Sequence, residues 1–379
     1  MWLDGFHLRL PVNASRKVHT FLFILFVMCL IVYAVNYQTI MYKFFKVLLA
    51  AMPFLFIACE EEKKLEVVCW GDSLTAPSRA SLLTSVRAVV LGLTDYPRVL
   101  QEDLGSGYDV INCGVGGENT LTIMARQGAA PMLLAHDVRI FNESEKKYPK
   151  FIGDDNVPAF ISSWDSTTSV RPLVQLGYKE GSPAYMNPCR INGRYYEISS
   201  ESKIWQENGY VFEYNYYIDD LNPQDTTFVI EAGSRIETAA MRELRGKYAN
   251  VFFIGQNGGF KNVADLIAQI QAMIKYSKSP RYVVVSFHKP NKVIPSPKRM
   301  TEMEDSLSMT FGKHYVNLRR YLMTYGLKDA GITPTSVDND SIAHGAVPPS
   351  LLKDRVHFTP KGYEIIGHLI GKKFKSLGY

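Results

Sequence analysis

The sequence predicts an α/β fold, with a central parallel sheet between layers of helix and a mostly antiparallel β insertion. Three observations predict it. Short apolar, β-branched runs recur and stop at Gly, Asn or Asp, as buried strands do. Stretches with helical spacing lie between them, and strand, helix, strand at this spacing builds a βαβ unit. Residues 130–235 abandon the helical pattern for short alternating segments separated by Pro, Gly, Asn and Asp.

The elements follow in order. Leu65 to Trp70 (LEVVCW) is an apolar strand that stops at Gly71-Asp72. Tyr96 to Gly105 has helical spacing and a closing Gly. Tyr108 to Asn112 (YDVIN) is the second strand, ending at Cys113-Gly114. In the middle region Asp137–Phe141, Val170–Leu176 and Tyr210–Tyr217 alternate as antiparallel strands. The α/β pattern resumes with a strand at Asn250–Ile254 and an amphipathic helix at Val263–Tyr276. A strand at Tyr282–Phe287, a helix at Met300–Phe311, a strand at His314–Leu318 and a helix at Arg319–Tyr325 come next. The last helix opens at Thr359-Pro360, a capping residue before Pro at the first helical position, and runs to Leu377. This divides the chain into a leader at 1–58, an α/β domain in two parts at 59–120 and 246–379, and a β-rich insertion at 121–245.

With 379 residues, 46% apolar and 21% charged, the composition excludes intrinsic disorder, collagen and coiled coil. The net charge of +5 is unevenly placed. Residues 1–58 hold Arg9, Arg16, Lys17, Lys43 and Lys46 against Asp4 alone, so the remainder carries 37 basic and 36 acidic residues. A body so nearly neutral has no electrostatic footprint for nucleic acid.

The leader contains two apolar runs. Thr20 to Tyr42 carries no charge and has the length of a short membrane helix. Val47 to Ala58 is shorter and ends at Cys59, before Glu60-Glu61-Glu62-Lys63-Lys64. Read from Met41, the chain has a basic start, an apolar stretch and a small residue before Cys59, the outline of a signal peptide at 41–58. It resembles a bacterial lipoprotein signal, with Phe56-Ile57-Ala58-Cys59 as its lipobox and Phe56 where Leu is usual. That resemblance implies that Met41 is the true start and that Cys59 carries a lipid anchor. The other reading is a membrane helix at 20–42. Both expect an extracytoplasmic, membrane-tethered body, periplasmic or at the cell surface. Of five cysteines, Cys69, Cys113 and Cys189 remain for the body, an odd number with no zinc spacing.

The chemistry gathers where strands end. The first strand runs into Gly71-Asp72-Ser73-Leu74, and the second into Asn112-Cys113-Gly114-Val115-Gly116-Gly117-Glu118. The third runs into Gly255-Gln256-Asn257-Gly258, and Asp354-Arg355-Val356-His357 precedes the last helix. Open α/β sheets bind ligands at the carboxyl ends of their strands. Ser73 is a poor nucleophile until a base takes its proton, and His357 can serve near neutral pH. Asp354, three residues away, can orient the imidazole and stabilise its cation. Gly114-Val115-Gly116 is a poor dinucleotide fingerprint, because Asn119 stands where its third Gly should be.

These four blocks, in this order, resemble the GDSL or SGNH family of serine esterases and lipases. The first block matches in full. The second matches at Asn112 and Gly117-Glu118, and the fourth at Asp354 and His357. The third matches at Gly255 and Asn257 but has Gly258 where the family has Asp. The resemblance spans the α/β parts and leaves out the insertion. It implies a flavodoxin-like three-layer sandwich and a Ser73–His357–Asp354 triad. It also implies an oxyanion hole from the backbone N–H of Ser73 and Gly117 and the Asn257 amide, with Asp72 structural within the turn. No metal or cofactor is expected. The expected substrate is an acylated small molecule or glycan, with a short acyl group, acetyl, on a carbohydrate. A lipase or thioesterase acting on longer chains, and a catalytically inert glycan-binding lipoprotein, are the alternatives. His288, which follows the Tyr282–Phe287 run, is the second candidate base.

The insertion is rich in aromatics, including Trp164, Tyr185, Tyr195, Tyr196, Trp205, Tyr216 and Tyr217. They fit a sheet core, since aromatics favour strands, or a stacking platform for sugar rings.

Overall fold

The structure is a computed structural model that describes residues 63–76, 95–140, 150–154, 156–172, 185–206, 210–223 and 226–379. The expected leader features, Met41 and the Cys59 anchor included, lie outside the described residues. Among the described residues, no helix is long and apolar enough to cross a membrane. Residues 64–379 form one compact unit.

The α/β part begins with β1 (Leu65–Gly71), α1 (Tyr96–Leu104) and β2 (Tyr108–Gly114). Helix α2 (Thr120–Gln127) follows, with Asn119 as its cap. Then come six short strands and one long hairpin: β3 (Met132–Leu134), β4 (Val138–Ile140), β5 (Lys150–Gly153), β6 (Phe160–Ser162), β7 (Cys189–Ile191), β8 (Arg194–Gln206), β9 (Tyr210–Asp220) and β10 (Phe228–Ile230), the hairpin being β8–β9. Helix α3 (Ala239–Glu243) leads back to β11 (Ala249–Phe253), α4 (Val263–Ser277), β12 (Tyr282–Val285), α5 (Pro297–Phe311) and β13 (Tyr315–Val316). Helices α6 (Leu318–Tyr321), α7 (Ser336–Ala343) and α8 (Pro360–Leu377) complete the chain.

The central sheet has the order β13-β12-β11-β1-β2, and every pair in it is parallel. Numbered along the chain, that is the doubly wound order 2-1-3-4-5. The chain moves outward from β1 to β2, then returns across β1 to β11 and on to β12 and β13. Right-handed crossovers therefore put α1 on one face and α4 and α5 on the other. Helix α8 packs against α1, and α2 and α5 pack against α4. This architecture is compatible with a three-layer sandwich. β1 and β11 are buried along most of their length, as the innermost strands of a covered sheet must be.

The middle region is antiparallel throughout its ladders. β3 pairs with β6, β4 with β10, and β5-β9-β8-β7 form a four-stranded sheet. It has its own apolar core, which includes Phe160, Ile191, Tyr196, Ile198, Tyr216 and Ile218. Ala125 of α2 belongs to this core, while Ile123 and Met124 of the same helix belong to that of the α/β part. Helix α2 thus serves both cores.

Three expected elements differ in detail. The last sheet strand is only Tyr315–Val316, because Asn317 turns out of it to cap the next helix. The helix expected at Arg319–Tyr325 passes into a π segment at Leu322–Gly326. Of the strand expected at Val170–Leu176, Val170 pairs with Phe160 by one backbone bond and no strand begins at Arg171 or Pro172, while residues 173–176 lie outside the described residues. Helices α2, α3 and α7 were not anticipated.

Two buried side chains fasten the second strand end to its surroundings. Arg126 of α2 is fully buried and donates to Glu118 at 2.8 Å and to Cys113 O at 2.9 Å. Its guanidinium lies 5.6 Å from the centre of the Trp70 ring, and Trp70 donates to Asn250 across the sheet. Removing one partner of a buried pair leaves an uncompensated charge and costs about 3–5 kcal/mol. Arg126→Met should lower unfolding free energy in urea by about that amount, and Glu118→Gln with Arg126→Met should recover part of it.

Candidate active site

The first strand end is shaped by close approach. A Cβ on Gly71 would stand 2.0 Å from Thr75 Oγ1, and one on Gly114 would stand 2.2 Å from Ala76 N. Only glycine at both positions leaves room for the turn that carries Ser73. Inside that turn Asp72 Oδ1 accepts from Leu74 N at 2.9 Å, and Asp72 O accepts from Thr75 N and Ala76 N. Asn112 holds the turn from β2: its amide donates to Thr75 O at 2.8 Å while its carbonyl oxygen accepts from Gly114 N.

His357 arrives from the opposite end of the sequence. The loop between Leu351 and α8 is closed by Lys353 N donating to His357 O and by Thr359 N donating to Leu351 O. Within it Asp354 Oδ1 accepts from Val356 N at 2.7 Å and His357 N at 2.8 Å. Asp354 Oδ2 accepts from His357 Nδ1 at 2.8 Å. With Nδ1 protonated, Nε2 is the acceptor, and it lies 2.9 Å from Ser73 Oγ. Ser73, His357 and Asp354 therefore form one unbroken hydrogen-bonded line. Partial burial disfavours the charged form of Asp354. The N–H groups of His357 and Val356 and the His357 ring outweigh it, holding the carboxyl down at about 2.

The second and third strand ends are bonded to each other. Val115 N donates to Gly71 O at 3.1 Å, which brings the glycine loop against β1. The Cβ position of Gly116 is 3.8 Å from Ser73 Cβ. Asn257 Nδ2 donates to Glu118 O at 3.0 Å, and Thr120 N donates to Gly258 O at 3.0 Å. An amide nitrogen has two hydrogens, so Asn257 keeps one for another acceptor. The backbone N–H groups of Ser73 and Gly117 make no hydrogen bond to another described residue. Gly117 has φ +84, a backbone conformation that favours glycine. Gly258, where the family pattern has Asp, closes a turn at φ +73 through its N–H to Gly255 O. Asn257 is positioned by backbone bonds on both sides and needs no carboxylate at 258.

Two further titratable groups lie close by. Asp72 is buried, and its Oδ2 has no hydrogen-bond partner among the described residues. Burial pushes its carboxyl up to about 7, against the Leu74 N–H and the neighbouring His357. His288 is buried 4.5 Å from the Phe358 ring, and burial pushes it down to about 3. The structure joins His357, not His288, to the serine. Cys69, Cys113 and Cys189 are free and buried. Among the insertion aromatics, Tyr196 and Tyr216 are core, and Trp164 donates to Asp265 at the start of α4. The Glu118–Arg126 pair escaped sequence reasoning. Its one signal is a lone Arg in the apolar run TLTIMARQGAAPMLL, which demands a buried partner.

No family model matches this chain, and no curated protein matches it. Among solved structures, one crystal structure aligns over 83% of this chain and 99% of its own, at 13% identity and a TM-score of 0.33.

Because the folded state binds the Asp72 proton more tightly than the unfolded chain, wild-type stability at this site falls as pH rises through about 7. Asp72→Asn removes that loss and keeps an oxygen for Leu74 N. Its melting temperature, relative to the parent, should rise between about pH 5 and pH 8 and stay level below about pH 4.

Proposed function

We propose that this chain is a serine ester hydrolase of the GDSL/SGNH type. The observation that carries the reading is the continuous line from Ser73 Oγ through His357 to Asp354, at 2.9 and 2.8 Å. Ser73 Oγ attacks the ester carbonyl as His357 Nε2 takes its proton. Asp354 keeps Nδ1 protonated and faces the imidazolium that results. The tetrahedral oxyanion is received by the N–H groups of Ser73 and Gly117 and the Asn257 amide. His357 then protonates the departing alkoxide, leaving an acyl group on Ser73. Water attacks that acyl group with His357 again as base, which releases the acid and restores the hydroxyl. No step calls for a metal or cofactor.

The substrate favoured here is a short acyl ester, an acetate on a carbohydrate. The leader pattern ending at Cys59 supports an extracytoplasmic lipoprotein, where acylated glycans are met. The aromatic content of the insertion is compatible with sugar binding, and Tyr195 remains exposed there while Tyr217 is partly exposed.

Hydrolysis of p-nitrophenyl acetate by the purified full chain tests the reading. Ser73→Ala should reduce it to background, and Asn257→Ala should lower kcat about 10²–10³-fold. A folded Ser73→Ala variant with undiminished turnover would contradict it.

A further inference from the structure

The loops at the carboxyl edge of the sheet are unevenly charged. Of the described carboxylates beside Ser73, Asp72 is buried inside the Ser73 turn, Glu118 is held by Arg126, and Asp354 is bonded to His357. The cations differ. Lys289 and Lys292 lie in the loop after β12, and Lys353 and Arg355 lie in the loop that carries Asp354 and His357. None of the four forms an ion pair among the described residues. Arg299 and Lys361, in the helices that follow these loops, are paired with Glu302 and Glu364.

Each unpaired cation is tied by backbone to the site. Gln256, next to Asn257, donates to Lys289 O at 3.1 Å. Asn291, next to Lys292, donates to Gly255 O at 2.9 Å and accepts from Val293 N and Ile294 N. The Val293 side chain stands 3.8 Å from the Cβ position of Gly258. Lys353 N donates to His357 O at 2.8 Å, and Arg355 lies between Asp354 and Val356. Lys292, Lys353 and Arg355 are exposed, and Lys289 is half-buried. Residues 59–379 carry 37 basic and 36 acidic residues, so the body as a whole offers an anion no general attraction. A bound anion would compensate these four charges, whose loops also carry the carboxylate of Asp354. A cleft lined by one sign of charge also gathers ligands of the opposite sign.

We propose that the ester opened here is carried on an anionic alcohol, whose carboxylate, sulfate or phosphate is held by Lys289, Lys292, Lys353 and Arg355 beside Ser73. The inference rests on the esterase reading and narrows its substrate: an acylated acidic saccharide fits better than a neutral one.

Two small acetates separate the two claims. They are para-acetoxybenzoate, which is anionic, and its methyl ester, which is neutral, each rate being divided by that for hydroxide-catalysed hydrolysis. With the full chain at about 10 mM salt, kcat/KM should favour the anion by about tenfold, and the preference should largely vanish at about 0.5 M. In a variant carrying Lys289→Gln, Lys292→Gln, Lys353→Gln and Arg355→Gln, the ratio should fall towards one at low salt. Equal rates for both esters in the wild type, or a preference that survives salt or the four substitutions, would overturn the anionic substrate and leave the esterase intact. Hydrolysis of neither ester by the folded chain would overturn the esterase reading and this inference with it.

Discussion

One side-chain amide joins the parts of this site. Asn257, at the end of β11, donates to the backbone of Glu118 at the end of β2, bridging over β1 and the Ser73 turn. Glu118 can offer that carbonyl at a fixed place because its own side chain is locked to buried Arg126. Arg126 in turn reaches Cys113 O, and its own carbonyl accepts from Thr238 at the far end of the insertion. The loop bearing Gly117 is therefore held from three directions. In the proposed hydrolase a donor can stabilise the transition state only if it is already aimed when charge develops, and this bonding would supply that aim.

The sheet order explains why these loops meet. The chain leaves β1 in one direction and returns in the other, so the loops after β1, β2 and β11 are drawn to a single switch point. His357 comes from a loop nearly three hundred residues later in the chain and closes the site from the helix α8 side. The division of labour is electrostatic as well as geometric. Asp354 lies where N–H groups converge on it and its carboxyl is held down at about 2, whereas Asp72 lies where burial dominates and its carboxyl is pushed up to about 7. Two carboxylates near one imidazole are thus shifted in opposite directions by their surroundings.

The sheet strands were legible because a strand covered on both faces must be apolar along its length, and LEVVCW and NVFFI have that character. Ser73, Asn257, Asp354 and His357 were legible because their chemistry follows strand ends or precedes a capped helix. Their convergence was only implied by the order of the blocks; the hydrogen bonds that produce it depend on backbone paths that no residue pattern states. Helix α2 escaped notice because it is only eight residues long and buries its polar residues with its apolar ones, so TLTIMARQ lacks the solvent face that marks a surface helix. Its cap, Asn119, instead read as a flaw in a dinucleotide motif. The cation rim was invisible for another reason: near-neutral charge in the body conceals which lysines find a carboxylate and which do not.

The central claim is that Ser73 is a nucleophile activated by His357. A fluorophosphonate probe tests it directly, since it bonds covalently only to a serine whose proton is removed during attack. Peptide mass mapping of the full chain should show the adduct on Ser73, and His357→Ala should abolish it while the protein remains folded. An adduct on a different serine, or an unlabelled Ser73 in the folded wild type, would contradict the account.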